Sequence, residues 1–152
     1  MRYRVVAVGK LKERFYQEAC LHYLKRLGHL TSCEFVEVRE ARAKSADAVR
    51  EAEGRALLSH VHGAVVALDE RGRAFGTTAL AWHVSELENR GVSSLTLLIG
   101  GAEGHGPEVR SAASEAWSLS PLTLPHDLAR LVLLEQLYRI ETVRAGHPYH
   151  RE

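Results

Sequence analysis

Apolar positions along this chain change their period repeatedly, and the changes mark out its elements. Residues 2–9, RYRVVAVG, form an apolar block closed by a glycine, which predicts a strand. From 11 to 28, Leu11, Phe15, Cys20, Tyr23, Leu24 and Leu27 fall near helical spacing until Gly28, which predicts a helix that stops there. CEFVEV at 33–38 predicts a second strand, and SADAVREAEGRALLS at 45–59 a second helix, capped by Ser45, with Val49, Ala52, Ala56 and Leu57 along one side. The alternation goes on with AVVAL at 64–68 as a strand, TTALAWHVSELEN at 77–89 as a helix with Leu80, Val84 and Leu87 in line, and SLTLLIG at 94–100 as a strand. The last of these lacks polar alternation, the mark of a strand covered on both faces. PEVRSAASEA at 107–116 predicts a short helix entered through Pro107, WSLS at 117–120 a brief strand, and DLARLVLLEQLYRIETVRAG a final helix from near Asp127.

Strand and helix units in this order predict an α/β domain with a doubly wound, mostly parallel sheet and helices on both faces. Ligands of such sheets bind beyond the carboxyl ends of the strands. The final helix sets Leu128, Leu131, Val132, Leu133, Leu134 and Leu137 around more than one stripe. It therefore needs cover on two sides, one of which a second subunit can supply.

Composition narrows the class. With 152 residues, 45% of them hydrophobic and 26% charged, the chain has the makeup of one soluble domain. No apolar run is long enough to span a membrane, and MRYRVVAVGK lacks the features of a signal peptide, so a cytoplasmic protein is expected. Cys20 and Cys33 form no C-x-x-C motif and suit buried, reduced thiols. The net charge is only +1, yet residues 1–50 carry 11 Lys and Arg against 6 Asp and Glu. That local excess fits either a solvated surface or an anionic partner.

Three stretches carry candidate chemistry. GGAEGHG at 100–106 follows a strand end, where glycines let backbone groups approach a ligand or simply permit a tight turn. Its spacing matches neither a dinucleotide fingerprint nor a phosphate loop. SLSPLTLPH at 118–126 also follows a strand. Beside the glycine loop it would form an apolar slot rich in backbone groups, suited to a purine and a thioether rather than to phosphates. Ser118, Ser120, His126 and Asp127 lack a nucleophile elbow, which argues against a hydrolase. The tail AGHPYHRE sets His147, Tyr149, His150 and Arg151 around Pro148. An aromatic among cations can stack a base and hold phosphates, although a frayed terminus remains the alternative. Two histidines without companion ligands are a poor zinc signal, so no metal is expected.

Taken together, VAVGK at 6–10, LLIGGAEG at 97–104, WSLSPLTLPH at 117–126 and LYRIETVRAGHPYHRE at 137–152 resemble the ribosomal RNA large-subunit methyltransferase H family, a branch of the SPOUT methyltransferases, over essentially the whole chain. The resemblance implies a SPOUT-type α/β knot. Residues 1–152 would form a single domain, with a C-terminal deep trefoil knot over roughly 64–146 and an RNA-contacting tail at 147–152. It implies a homodimer that transfers a methyl group from S-adenosylmethionine to N3 of a pseudouridine in a 23S rRNA stem-loop on the assembled 70S ribosome, with no membrane partner. Leu68, Gly100, Gly101, Ser120, Pro121, Leu122, Thr123, Leu124 and Pro125 would hold the cofactor, with Gly104 and Gly106 shaping the loop. His150 and Arg151 would work on the target base and Arg139 would orient RNA, with Tyr149 and His126 as further catalytic candidates. In a dimer, Lys10, Lys12 and Arg14 of one subunit would reach phosphates beside the other's cofactor slot. A non-catalytic ribosome-binding or assembly module of the same fold is the rival reading.

Overall fold

The first strand is apolar on both sides, and both sides are used: Val5 and Ala7 join one hydrophobic core, Val6 and Val8 the other. In the computed structural model, which describes residues 1–151, this strand is β1 (Arg2–Val8). Residue 152, the last of the expected tail, lies outside the described residues. β1 pairs in parallel with β2 (Cys33–Val38) and β4 (Ser94–Ile99). β3 (Ala64–Ala74) pairs in parallel with β4 on one side and β5 (Glu115–Ser118) on the other. The order is β2-β1-β4-β3-β5, so the sheet is parallel throughout, as expected.

The helices divide between the two faces. α1 (Arg14–Leu27), α3 (Thr77–Asn89) and α5 (His126–Arg144) cover the core that contains Val5, Leu97 and Ile99. α2 (Ala46–Leu58) and α4 (Pro107–Ala112) cover the core that contains Val6, Val8 and Leu98. Every residue of β4 is buried, which is the consequence of cover from both sides. Ser45 caps α2 as expected, its side chain accepting from the Ala48 N–H at 3.1 Å.

Two boundaries differ from the sequence expectation, both because of pairing between distant segments. β3 runs on to Ala74 through the charged residues DERGRA. Leu68 and Arg73 both face Trp117, so the residues between them leave the ladder. A Cβ at Gly72 would lie 2.6 Å from the Ala116 backbone, and only glycine permits that approach. The short helix ends at Ala112 and the last strand begins at Glu115, earlier than WSLS suggested. Ser114 donates to the Val65 carbonyl from both its N–H and its hydroxyl, at 2.9 and 3.0 Å. That bond draws the following residues onto the edge of β3.

Candidate active site

Parallel strands deliver their carboxyl ends to one edge, where the segment that bulges out of β3 forms a first loop and meets the two that follow β4 and β5. Residues 69–71, 100–105 and, apart from Pro121, 119–125 line a cleft of about 540 Å³, within the roughly 300–1,000 Å³ range of small-molecule sites. Of the expected cofactor residues, Leu68, Gly100, Gly101, Ser120, Leu122, Thr123, Leu124 and Pro125 line it, whereas Pro121 does not. Leu122 is 73% exposed at the rim, an apolar side chain that an occupant of the cleft would cover.

Hydrogen bonds and an ion pair shape the wall of the cleft. Thr123 donates its hydroxyl to Glu70 Oε2 at 2.9 Å, joining the third loop to the first. Arg110, from α4, pairs with Asp69 at 3.2 Å. Asp69 also accepts from the Arg71 N–H at 2.9 Å, which turns the chain as it leaves the sheet. Ser120 accepts from the Leu122 N–H at 2.9 Å, and its own carbonyl accepts from the Ser118 hydroxyl at the same distance. Asp69, Glu70, Arg71 and Arg110 therefore form a polar wall that the sequence reading did not single out.

The glycines of the second loop answer to what lies beneath them. A Cβ at Gly101 would fall 2.9 Å from Glu53 Oε1 and 3.1 Å from Val8, and one at Gly100 would fall 3.2 Å from His105 Nδ1. Gly104 has a φ of +75° and donates to the Gly101 carbonyl at 3.0 Å, a turn that a side chain would strain. Beneath the loop, Glu53 accepts from the Ala41 N–H at 3.0 Å through Oε2. Its Oε1 has no partner, and burial pushes its pKa up. His105 meets the Leu98 carbonyl at 3.1 Å, and burial pushes its pKa down, so it carries a neutral ring with Nδ1 unpartnered.

Of the catalytic candidates, only His126 lines the cleft, at the start of α5. One turn further, the fully buried Arg130 pairs with Glu37 at 2.7 Å and donates to the Val8 and Gly9 carbonyls at 2.7 and 2.6 Å. It pins the end of β1 under α5, which brings Lys10 and Lys12, both exposed, to the same edge as the cleft. Arg14 is paired with Glu18 at 3.0 Å. An arginine amid leucines in DLARLVLLEQ was the available sign of this clamp.

The remaining candidates gather at the other end of α5. Arg139 binds Glu135 at 2.6 Å, Tyr149 donates to the same carboxylate at 3.2 Å, and Arg139 Nη1 meets His150 Nδ1 at 3.3 Å. The Tyr149 ring lies beneath the guanidinium groups of Arg139 and Arg26, at 4.6 and 5.1 Å, and edge-on to Tyr138. Burial, then the Glu135 charge, pushes the Tyr149 phenol up to about 12. Arg151 is exposed. Among the described residues, no helix is long and apolar enough to cross a membrane.

Known proteins match this architecture and then this sequence. A probable methylase family protein from Haemophilus influenzae Rd KW20 superposes with a TM-score of 0.56 at 10% identity, over 99% of this chain and 70% of that one. A putative methylase family protein from Neisseria gonorrhoeae gives 0.51 at 13%, over 99% and 86%. These likenesses define an α/β fold shared with methylase family proteins. The chain belongs to the family described as "Predicted SPOUT methyltransferase", whose model matches residues 1–150. It is 46% identical to the ribosomal RNA large subunit methyltransferase H of Gloeobacter violaceus and 43% identical to that of Xanthomonas oryzae pv. oryzae, over 99% of both chains in each case. Membership makes S-adenosylmethionine the methyl donor. The cleft suits that molecule: Leu68, Leu122 and Leu124 offer apolar surface for a purine and a thioether, and the Glu70 carboxylate faces a cavity that must receive a cation.

Proposed function

We propose that the chain is a cytoplasmic, homodimeric rRNA methyltransferase. It methylates N3 of a pseudouridine in a 23S rRNA stem-loop, and its substrate is the assembled 70S ribosome. The rRNA substrate is supported by full-length relatives that carry that activity in their names. Residues 1–152 act as one domain, in which the chain over 64–146 threads into a deep trefoil knot and 147–152 serve as the RNA-contacting tail.

The observation that carries the reading is the division of the candidate residues between the two ends of α5. From His126 to Glu135, on which the tail is held, the helix rises about 14 Å, which sets the tail apart from its own cleft. A second subunit resolves this by bringing its tail to the cleft of the first. Val132 and Leu128, only partly covered on α5, and Phe15, 62% exposed on α1, are the apolar surface such a partner would bury.

When bound, S-adenosylmethionine supplies an electrophilic methyl group on a sulfonium, which leaves the protein's residues to position the base and manage its charge. Leu68, Gly100, Gly101 and the run Ser120 to Pro125 hold the donor. N3–H of pseudouridine lies between two carbonyls, and losing it creates an anionic ring that nearby donors stabilise. Arginine can only donate, so His150 accepts from Arg139 at Nδ1 and bears its hydrogen on Nε2. His150 and Arg151 thus offer donors to the ring oxygens, and Tyr149, protonated at neutral pH, steadies Arg139 beside them through its ring. His126, in the cleft wall, is left to receive the proton. Lys10 and Lys12 meet phosphates; Arg14 adds less because Glu18 already holds it.

The test is transfer of labelled methyl from S-adenosylmethionine to 70S ribosomes lacking the modification, with separated subunits in parallel. Label on a 23S rRNA pseudouridine is expected from ribosomes alone. Tight donor binding without any transfer would replace the enzyme with an assembly module.

A further inference from the structure

Trp82 stands 74% exposed on α3, whereas Trp117 is buried at 2%. One helical turn to either side of it lie Ala79, Ser85 and Glu86, so the apolar area is about one ring wide. That is far below what a subunit interface requires, yet it suffices to stack one nucleobase. The indole borders a groove of about 780 Å³ between α3 and the last turns of α5, bounded also by Arg73, His83, Asn89 and Arg144.

Charges around the groove are mostly cancelled. Arg144 binds Glu141 and Glu88, Glu86 binds Arg90, and His83 binds Glu115 at 2.6 Å. Arg73 is the exception: it makes no ion pair among the described residues and rests 4.3 Å above the Phe75 ring, which itself stacks on His83. An aromatic platform beside a pre-set, uncompensated guanidinium is the arrangement that receives a base and its phosphate. The strand segment that walls the cleft at Asp69 to Arg71 reaches this groove at Arg73, so the two sites adjoin through one stretch of chain.

We propose that this groove is a second nucleotide site, in which an unpaired base of the RNA substrate stacks on Trp82 while Arg73 meets the neighbouring phosphate. The inference rests on the rRNA reading above, and its test is separable from that reading. Tryptophan fluorescence is followed while a ten-residue oligouridylate is added to the full chain, and KM for unmodified 70S ribosomes is measured in parallel. Quenching is expected in the native protein and is expected to be lost in Trp82→Phe, whose remaining indole is buried. Trp82→Ala raises KM roughly ten-fold, the scale of one lost base stack, with kcat and donor affinity unchanged. Arg73→Ala lowers the salt slope of RNA binding by about 0.7, one phosphate's share for a single strand. Full quenching in Trp82→Phe, or an unchanged KM in Trp82→Ala, overturns the site. So does a Trp82→Ala variant that dissociates into monomers with RNA affinity intact, which assigns the indole to a self-interface. Quenching at Trp82 in a protein that methylates no ribosome supports the nucleotide site and overturns the activity assigned to the cleft instead.

Discussion

Toward its C-terminal end α5 surrounds its charges with partners, while around its N-terminal end buried polar atoms go without. In the former region Arg139, Glu135, Tyr149 and His150 form one network. Arg144, Glu141 and Glu88 form another, in which Tyr3 donates to Glu141 at 2.7 Å. In the latter region, Glu53 Oε1, His105 Nδ1 and Arg130 Nε are buried without a hydrogen-bond partner, and Asp127 Oδ1 has only the His126 ring, 3.8 Å away. Satisfied networks stiffen a structure, and unsatisfied ones mark where stability has been given up for a site. The network on Glu135 therefore fixes where Tyr149 and His150 sit, and the groups beneath the glycine loop lack such bracing.

The largest effect is expected where the N-terminal region does hold a charge in place. Arg130→Met strands two buried carbonyls and leaves the Glu37 carboxylate to the Leu11 N–H and solvent. Its cost should be about 3 kcal/mol in denaturant unfolding; a loss below 1 kcal/mol would show that the clamp is dispensable. Next comes the tail. His150→Ala with Arg151→Ala should lower kcat on ribosomes roughly 100-fold while donor affinity, read by calorimetry, stays put. A matching loss of donor affinity would mean that the two ends are not separate.

Gly101→Ala is expected to weaken donor binding roughly ten-fold, because its Cβ collides with the Glu53 carboxylate and with Val8. Adding Glu53→Ala should restore part of it, and failure to do so would move the clash elsewhere. The smallest effect concerns pH. Burial raises the Glu53 pKa above its usual 4.5, so between that value and the raised one the folded state holds more protons than the unfolded. Stability therefore falls as pH rises through that window. Glu53→Gln should remove this fall, so its stability relative to the native chain should improve from pH 4.5 toward neutrality. An identical pH profile in the two proteins would indicate a carboxyl that water reaches.

Much of this contrast could be read from the chain. Val5 to Val8 and the unbroken SLTLLI announce strands covered on both faces, and the final helix advertises apolar residues on more than one stripe. The loops at 100–106 and 119–125 are legible because glycine and proline limit the backbone locally. Harder to see is anything decided by pairing at a distance. The strand expected at 64–68 stops short of the charged DERGRA, yet that segment is partly strand because β5 lies beside it. Glu53 belongs to an ordinary polar helix segment, and only the fold places it beneath Gly101. The separation of His126 from the tail was implicit in helix length, but the network that draws Tyr149 back onto Glu135 was not.

The Arg130 clamp also dates the site in the life of the molecule. Its bonds to Val8 and Gly9 span 122 and 121 residues, so the end of β1, though paired early with Val38 of β2, stays unclamped on the α5 side until nearly all of the chain has been synthesised. Contacts of such long range are slow to form. During translation the N-terminal strands can pair early, but the cleft edge closes only once α5 emerges. A chain truncated before Arg130 would lose Leu133, Leu134, Leu137 and Ile140 from the core together with the clamp, and with them the α5 cover of one face of the sheet.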